Sequence, residues 1–202
     1  MHTDRPRTYS RRRCCAKLVL IMLFVGLTTS AVKAEPPDTV RILTIGNSFA
    51  QNACRYLEPI AESAARSIHI EKANLGGASL KRHWTHVAAW LEDPQSQAAR
   101  PLTMRRDGST SKVSLHTKLT AEPWDYITIQ QVSFRSYKAD TFEPYGSRLH
   151  AFGRKHAPQA EVLIHQTWAY RVDDKLFHSK WHDIDQEQMY KRLTECYRAL
   201  AE

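Results

Sequence analysis

The sequence lacks three features that would each have pointed to a particular class of protein. A membrane-spanning helix needs about 20 apolar residues, but the longest apolar run, Leu18–Leu27, has only ten. The chain contains no internal repeat and no low-complexity tract, which excludes solenoid and fibrous architectures. Beyond residue 34 it also lacks the excess of basic residues that is typical of nucleic-acid binders.

The position of the basic residues decides what the formal net charge of +8 means. Residues 1–34 hold seven of the 29 basic residues and one of the 21 acidic ones, so residues 35–202 carry a net charge of only +2. The charge therefore belongs mainly to the amino-terminal segment, and we expect no nucleic-acid partner.

The amino-terminal segment has the order of a secretory signal. Arg11–Arg13 precede the apolar run, and the segment ends in small residues at Val32-Lys33-Ala34. A basic start, a short apolar core and a small-residue cleavage site predict a signal peptide over residues 1–34 that is cleaved after Ala34. The protein would then be secreted or periplasmic. The alternative is an uncleaved membrane anchor on an interaction domain, in which case this segment is the chain's contact with a membrane.

Cysteine is scarce in the predicted mature chain, residues 35–202. Only Cys54 and Cys196 fall there, and they lie in separate helical segments. A disulfide between them is open in an oxidising compartment, but we favour two buried thiols that act as small apolar residues.

Short β-branched runs alternate with longer amphipathic runs along the mature chain. About 168 residues suit one domain with a real core, and the alternation predicts a parallel sheet that is covered on both faces. We therefore expect a flavodoxin-like three-layer α/β sandwich, without the last strand of that fold. The predicted strands are 40–45, 68–73, 124–130 and 161–165. The predicted helices are 50–66, interrupted or kinked at Pro59, together with 79–91, 142–156 and 186–200.

Residues 102–119 do not follow this alternation of predicted strands and helices. Asp107-Gly108-Ser109 is a turn signal between two stretches of mixed polarity, so we expect an inserted hairpin or loop.

Polar residues or glycines follow each predicted strand. Since parallel strands bring their carboxyl ends to one edge of a sheet, where ligands bind in such folds, these residues should meet there. They are Gly46-Asn47-Ser48, Asn74-Leu75-Gly76-Gly77, Gln130-Gln131 and His165-Gln166-Thr167-Trp168.

These blocks resemble those of a known family. Ile45-Gly46-Asn47-Ser48-Phe49 is similar to the GDSL signature of SGNH hydrolases, with Asn in place of Asp, and Asn74–Ser79 resembles their glycine block. The blocks Trp124–Gln131 and Thr167–Tyr170 look more like a bacterial branch of that family that is known only as a domain of unknown function. The resemblance runs from about Val40 to the end of the chain and implies a serine hydrolase that needs no metal or organic cofactor.

The resemblance implies three catalytic roles. Ser48 would be the nucleophile, because an exposed serine on a strand-to-helix turn is open to a base; the alternative is that Ser48 only caps the helix. Gly77 would supply an oxyanion-binding amide, although Gly76 is open as a substitute. Gln131 would donate the third hydrogen bond in place of the family's asparagine, with Gln130 bonding backbone inside the sheet.

We expect Asn47, His165 and Trp168 to bind substrate, and Trp168 with Tyr170 suggests an aromatic wall for a sugar ring. The family's late Asp-x-x-His block, which holds its base, has no match after the fourth predicted strand. His165, His178 and His182 are the histidines to consider instead.

The sequence thus predicts an exported serine esterase that acts on small-molecule or polysaccharide acyl esters, such as an acetylated polysaccharide. The alternative is an inactive, truncated relative that binds carbohydrate or acts as a scaffold.

Overall fold

The protein is described by a computed structural model that covers residues 39–178 and 184–202. The predicted signal segment, its cleavage site and His182 lie outside these residues, so those predictions stand untested. Within the described ranges, no helix has the length and apolar character needed to cross a membrane.

The main sheet has four parallel strands in the order β2-β1-β5-β6. Its central strands are β-branched and apolar, and Leu43, Ile45, Ile127 and Ile129 are at most 1% exposed. Each such side chain contributes roughly 1.5–3 kcal/mol when it is buried. The strands are β1 (Val40–Gly46), β2 (Ile68–Asn74), β5 (Tyr126–Ile129) and β6 (Glu161–Ile164).

This order confirms the predicted flavodoxin-like α/β sandwich, and no fifth strand follows β6 among the described residues. The chain leaves β1 toward β2 on one side and leaves β5 toward β6 on the other. Right-handed crossovers in opposite directions place their helices on opposite faces. A crevice therefore opens between the ends of β1 and β5, where such folds bind ligands.

The three long helices follow their predicted apolar spacing. Ser79 and Asp185 cap α3 and α6 by accepting hydrogen bonds from the amides of Arg82 and Gln188. The apolar side of α6 is buried through Met189, Leu193, Cys196 and Tyr197. The helices are α3 (Leu80–Glu92), α5 (Tyr145–His156) and α6 (Gln186–Ala201).

The first predicted helix differs from expectation. It is divided into α1 (Ser48–Ala53) and α2 (Leu57–Ser63) by a 3-10 turn at Cys54–Tyr56. The helix is thus interrupted, as one of the two predicted alternatives had it, but the interruption lies a few residues before Pro59. A proline ring clashes with the carbonyl four residues earlier, here that of Arg55, so the break falls one turn before Pro59.

The inserted hairpin is confirmed. Strands β3 (Leu102–Arg106) and β4 (Ser109–Val113) pair antiparallel, and Asp107 and Gly108 both have positive φ angles, as a tight hairpin turn requires. A short helix that we did not predict, α4 (Leu115–Leu119), follows directly.

Cys54 and Cys196 are both free thiols. Cys196 is buried and Cys54 is only partly buried.

An ion pair attaches α4 to the edge of the sheet. The side chain of Lys118 is fully buried, and its Nζ bonds Oε1 of Glu71 on β2. The indole Nε1 of Trp124 donates to the Lys118 carbonyl at 3.0 Å. A buried ammonium group is stable only while it is paired.

We expect Glu71→Gln to lower the free energy of unfolding by about 3 kcal/mol, because it leaves the Lys118 charge buried without a carboxylate. Urea denaturation measures this change. The matched control is Asp173→Asn, which breaks the exposed Arg171–Asp173 pair and should change stability by less than about 0.5 kcal/mol. Equal effects of the two substitutions would contradict the assigned role of Lys118.

Candidate active site

The carboxyl ends of the four strands bring the predicted loops to one edge of the sheet. Ser48 begins α1 directly after β1, and the turn Leu75–Ala78 connects β2 to α3. Gln130 and Gln131 follow β5, and His165 follows β6. The blocks that were expected to meet are therefore neighbours in the fold.

Asn47 holds two of these loops together. Its Oδ1 accepts a hydrogen bond from the amide of Phe49 at 3.0 Å, which caps α1, and its Nδ2 donates to the carbonyl of Ala78 at 3.1 Å. The residue is 1% exposed. Both polar atoms of Asn47 are thus used within the protein, and the predicted contact with substrate stays a prediction.

Within the described residues, Ser48 forms no hydrogen bond that would give it a structural role. The cap of α1 is Asn47 rather than Ser48, which removes the alternative role that the sequence allowed. The first-turn amides of Phe49 and Ala50 are bonded to Asn47 and to Oε1 of Gln130. Within the described residues, neither the hydroxyl nor the amide of Ser48 has a hydrogen-bond partner, and the residue is exposed. Both groups are therefore available to a ligand.

Gly77 occupies the turn after β2 in a conformation that favours glycine. Its φ is +62°, and the turn is closed by a hydrogen bond from the Ala78 amide to the Leu75 carbonyl at 3.1 Å. The Gly76 carbonyl accepts from the guanidinium of Arg82. The left-handed backbone explains why glycine is required at Gly77, and the exposed Gly77 amide has no partner among the described residues.

The carbonyl of Gly46 is bonded twice. It accepts from the Leu75 amide at 3.0 Å and from Nε2 of His83 at 2.8 Å. A Cβ on Gly46 would lie 2.9 Å from the Cβ of Ala50, so the helix can approach β1 this closely only at a glycine. Burial lowers the pKa of His83 to about 4, and the imidazole is therefore neutral at physiological pH.

The structure corrects the role predicted for Gln131. Its Oε1 accepts from the amides of Leu80 and Val132 at 3.1 and 2.9 Å, and its Nε2 donates to the carbonyl and hydroxyl oxygens of Thr141 at 2.9 and 3.2 Å. Both amide hydrogens are used, so the third oxyanion donor predicted at Gln131 is not available in this arrangement. Gln131 instead connects the end of β5 to the start of α3.

Gln130 does bond backbone, as the sequence suggested, but the backbone belongs to α1. Its Oε1 accepts from the Ala50 amide at 3.0 Å. The side chain is fully buried, and its Nε2 has no partner among the described residues.

Aromatic side chains pack on Phe49, the residue after Ser48. The indole of Trp168 stacks on Phe49, with ring centroids 4.5 Å apart, and Trp168 remains 44% exposed. Tyr170 meets Phe49 edge-on, and its hydroxyl lies 2.6 Å from Oγ of Ser133. The sequence singled out Trp168 and Tyr170 but not Phe49 or Ser133; Phe49 could have been found from its position beside Ser48, whereas nothing in the sequence points to Ser133.

None of the histidines that the structure describes is bonded to Ser48. The His165 amide continues the β5–β6 ladder by donating to the Ile129 carbonyl at 2.9 Å, and burial lowers the pKa of its side chain. His178 is exposed at the end of a 3-10 turn. No histidine in the described ranges forms a hydrogen bond with Ser48 Oγ, and no group of three potential metal ligands is present there.

An open cleft of about 560 Å³ is lined by Ser48 together with Asn52, Arg55 and Lys72. Ser48 therefore lies in a polar depression. Ser48, Gly77 and Trp168 are among the exposed residues of this edge.

We expect Asn47→Ala to lower the free energy of unfolding by about 1–2 kcal/mol because the cap of α1 is lost. Ser48→Ala should change it by less than about 0.5 kcal/mol, since the side chain is exposed and unbonded. Urea denaturation of the two variants beside wild type measures both values. A loss of more than about 1 kcal/mol in Ser48→Ala would mean that Ser48 carries the cap.

Two solved structures are similar to this chain. One is a DUF4886 family protein from Bacteroides uniformis ATCC 8492, with a TM-score of 0.66 and 27% identity over 81% of this chain. The alignment covers 63% of that protein, so this chain spans less than two thirds of its length. The other is a protein from Slackia heliotrinireducens that is provisionally assigned as an SGNH hydrolase, with a TM-score of 0.52 and 22% identity over 81% of this chain and 74% of that one.

The second likeness shows an SGNH-hydrolase-like fold and nothing finer. No curated protein matches the chain. The family model described as a domain of unknown function, DUF4886, matches residues 41–201, and the chain belongs to this family.

Proposed function

We propose that this protein is an exported serine esterase that hydrolyses acyl esters with Ser48 as nucleophile. The strongest support for this proposal is that Asn47 and Ser48 have different roles at the start of α1. Asn47 caps the helix, so the Ser48 hydroxyl and amide face the open cleft without partners. A serine that only stabilised a helix would have its hydroxyl engaged.

In the proposed reaction, Oγ of Ser48 attacks the ester carbonyl carbon. The negative charge that develops on the carbonyl oxygen is stabilised by the amides of Ser48 and Gly77. The bond to the alcohol oxygen then breaks, and the alcohol leaves with the proton taken from Ser48. Water hydrolyses the acyl-serine and restores the hydroxyl. These steps use protein groups and water alone.

A serine hydroxyl needs a base to take its proton. His165 is the first candidate, because burial lowers its pKa and so keeps the imidazole neutral and able to accept a proton. His178 and His182 are the other two candidates.

The proposed substrate is an acetylated polysaccharide. Trp168 presents an exposed indole that stacks on Phe49, the residue after Ser48, and aromatic faces of this kind suit sugar rings. Export by the amino-terminal signal segment would bring the enzyme to such polymers. The partners would therefore be extracellular or periplasmic esters, not nucleic acid.

A non-catalytic carbohydrate-binding role is the second candidate. It is favoured by the absence of a histidine bonded to Ser48 in the described ranges and by the engagement of Gln131 with Thr141. Such a protein would bind acetylated xylan through Trp168 without releasing acetate.

We expect the purified protein to release p-nitrophenol from p-nitrophenyl acetate and acetate from acetylated xylan, and Ser48→Ala to abolish both activities. Loss of the nucleophile removes the covalent route entirely. The matched control is Ser63→Ala, at an exposed serine of α2, which should keep wild-type rates. Because a contaminating esterase would be equally active in both preparations, a difference between the two variants excludes it.

Glutamine variants of His165, His178 and His182 identify the base, with exposed His150→Gln as their control. Binding of acetylated xylan without turnover by folded wild type would support the second candidate and sink the esterase proposal. Equal activity in wild type and Ser48→Ala would exclude Ser48 as nucleophile.

We expect Trp168→Ala to raise KM for acetylated xylan by about 2- to 10-fold while KM for p-nitrophenyl acetate stays unchanged, since one lost aromatic contact is worth about 0.5–1.5 kcal/mol. Steady-state kinetics on both substrates measure the two constants. Val172→Ala, at a 70% exposed position of the same segment, is the control. A rise in KM for both substrates alike would argue against a sugar-binding role.

A further inference from the structure

Hydrogen bonds to the Gly46 carbonyl connect β1 with the start of α3. Gly46 is the last residue of β1 and lies two residues before Ser48. Its oxygen accepts one hydrogen bond from the Leu75 amide, at the start of the turn that carries Gly77, and a second from Nε2 of His83. The orientation of this carbonyl fixes the peptide plane that leads into Asn47 and Ser48.

His83 is the side chain that bonds this carbonyl, with its Nε2 2.8 Å from the oxygen. It lies in the first turn of α3, six residues after Gly77, and is 3% exposed. Because a carbonyl oxygen only accepts, Nε2 of His83 must carry the proton. Arg82 and His86, its charged or titratable neighbours on α3, add to the effect of burial in disfavouring a charge on the ring. The imidazole is therefore a fixed neutral donor.

The two amides assigned to the oxyanion site belong to different loops, so their separation depends on what joins these loops. Three connections do so: the Leu75 and His83 bonds to the Gly46 carbonyl and the Asn47 bond to the Ala78 carbonyl. Of these, the His83 bond is the shortest, at 2.8 Å, and the only one that ties β1 to the body of α3 rather than to the exposed turn.

We propose that His83 is a positioning residue that holds the Ser48 and Gly77 amides at the separation needed to bind an oxyanion. The inference rests on the proposed serine-esterase function. His83 neither touches the substrate nor takes the serine proton in this scheme; it acts through the Gly46 carbonyl.

The test compares two amide substitutions that differ in reach. In His83→Gln the side-chain nitrogen stands where Nε2 of histidine stood and can donate to the Gly46 carbonyl, whereas the amide of His83→Asn is one methylene too short. The probe is a fluorophosphonate. Oγ of Ser48 forms a bond to phosphorus as the fluoride leaves with the serine proton, and the tetrahedral phosphonyl group occupies the oxyanion site. Mass spectrometry measures the second-order labelling rate at Ser48, and thermal unfolding shows that each variant is folded.

We expect His83→Asn to label about 10- to 100-fold more slowly than wild type, because small misplacements of reacting groups cost rates of this order. His83→Gln should recover most of the rate, and the pH dependence of labelling should keep its wild-type midpoint in both variants. In ester hydrolysis the loss should fall on kcat and leave KM unchanged.

Three results would overturn the inference. Equal labelling rates in the folded Asn, Gln and wild-type proteins would mean that His83 is a packing residue only. Complete loss of labelling in His83→Gln, with loss of the pH-dependent limb, would make His83 the base instead. Absence of labelling in folded wild type would refute the serine-esterase proposal itself, and the positioning role with it.

Discussion

Four buried polar side chains lie under the carboxyl edge of the sheet, and the candidate site depends on their hydrogen bonds. Asn47, His83, Gln130 and Gln131 bond backbone groups of Ala78, Gly46, Ala50 and Leu80. A buried polar group without a partner costs about 1–3 kcal/mol, so each bond is strongly favoured once the side chain is inside. Together the bonds leave the loops after β1 and β2 little freedom to move apart.

The topology of the sheet explains why these side chains are needed. The loops after β1 and β5 lead to opposite faces, because the strand order reverses between them. The backbone groups at the crevice cannot all find partners in the sheet. Long amide side chains from the end of β5 reach them instead: Gln130 bonds the start of α1 and Gln131 bonds the start of α3. The polar residues at this edge thus have structural as well as proposed chemical tasks.

Asn47 and Ser48 have separate roles: Asn47 caps a helix, and Ser48 presents a hydroxyl. Because the amide side chain of Asn47 both caps α1 and reaches the neighbouring turn, Ser48 is free to face solvent. The esterase activity itself is our proposal, and it follows from the free hydroxyl and the two free amides.

The sequence by itself determined the sheet, its helices and the edge where the unusual residues meet, since apolar periodicity and strand-end glycines are local signals. It also predicted the Asp107-Gly108 turn, and it identified Ser48 and Gly77 as residues of one edge. It could not decide whether Ser48 caps α1, because the cap is Asn47, whose side chain also bonds the carbonyl of Ala78, 31 residues away. For the same reason the sequence misassigned Gln131, whose amide is bound by Thr141, and gave no sign that His83 bonds Gly46 or that Lys118 is buried against Glu71. Which donor meets which acceptor inside a protein is set by packing between distant segments, and only the tertiary structure decides it.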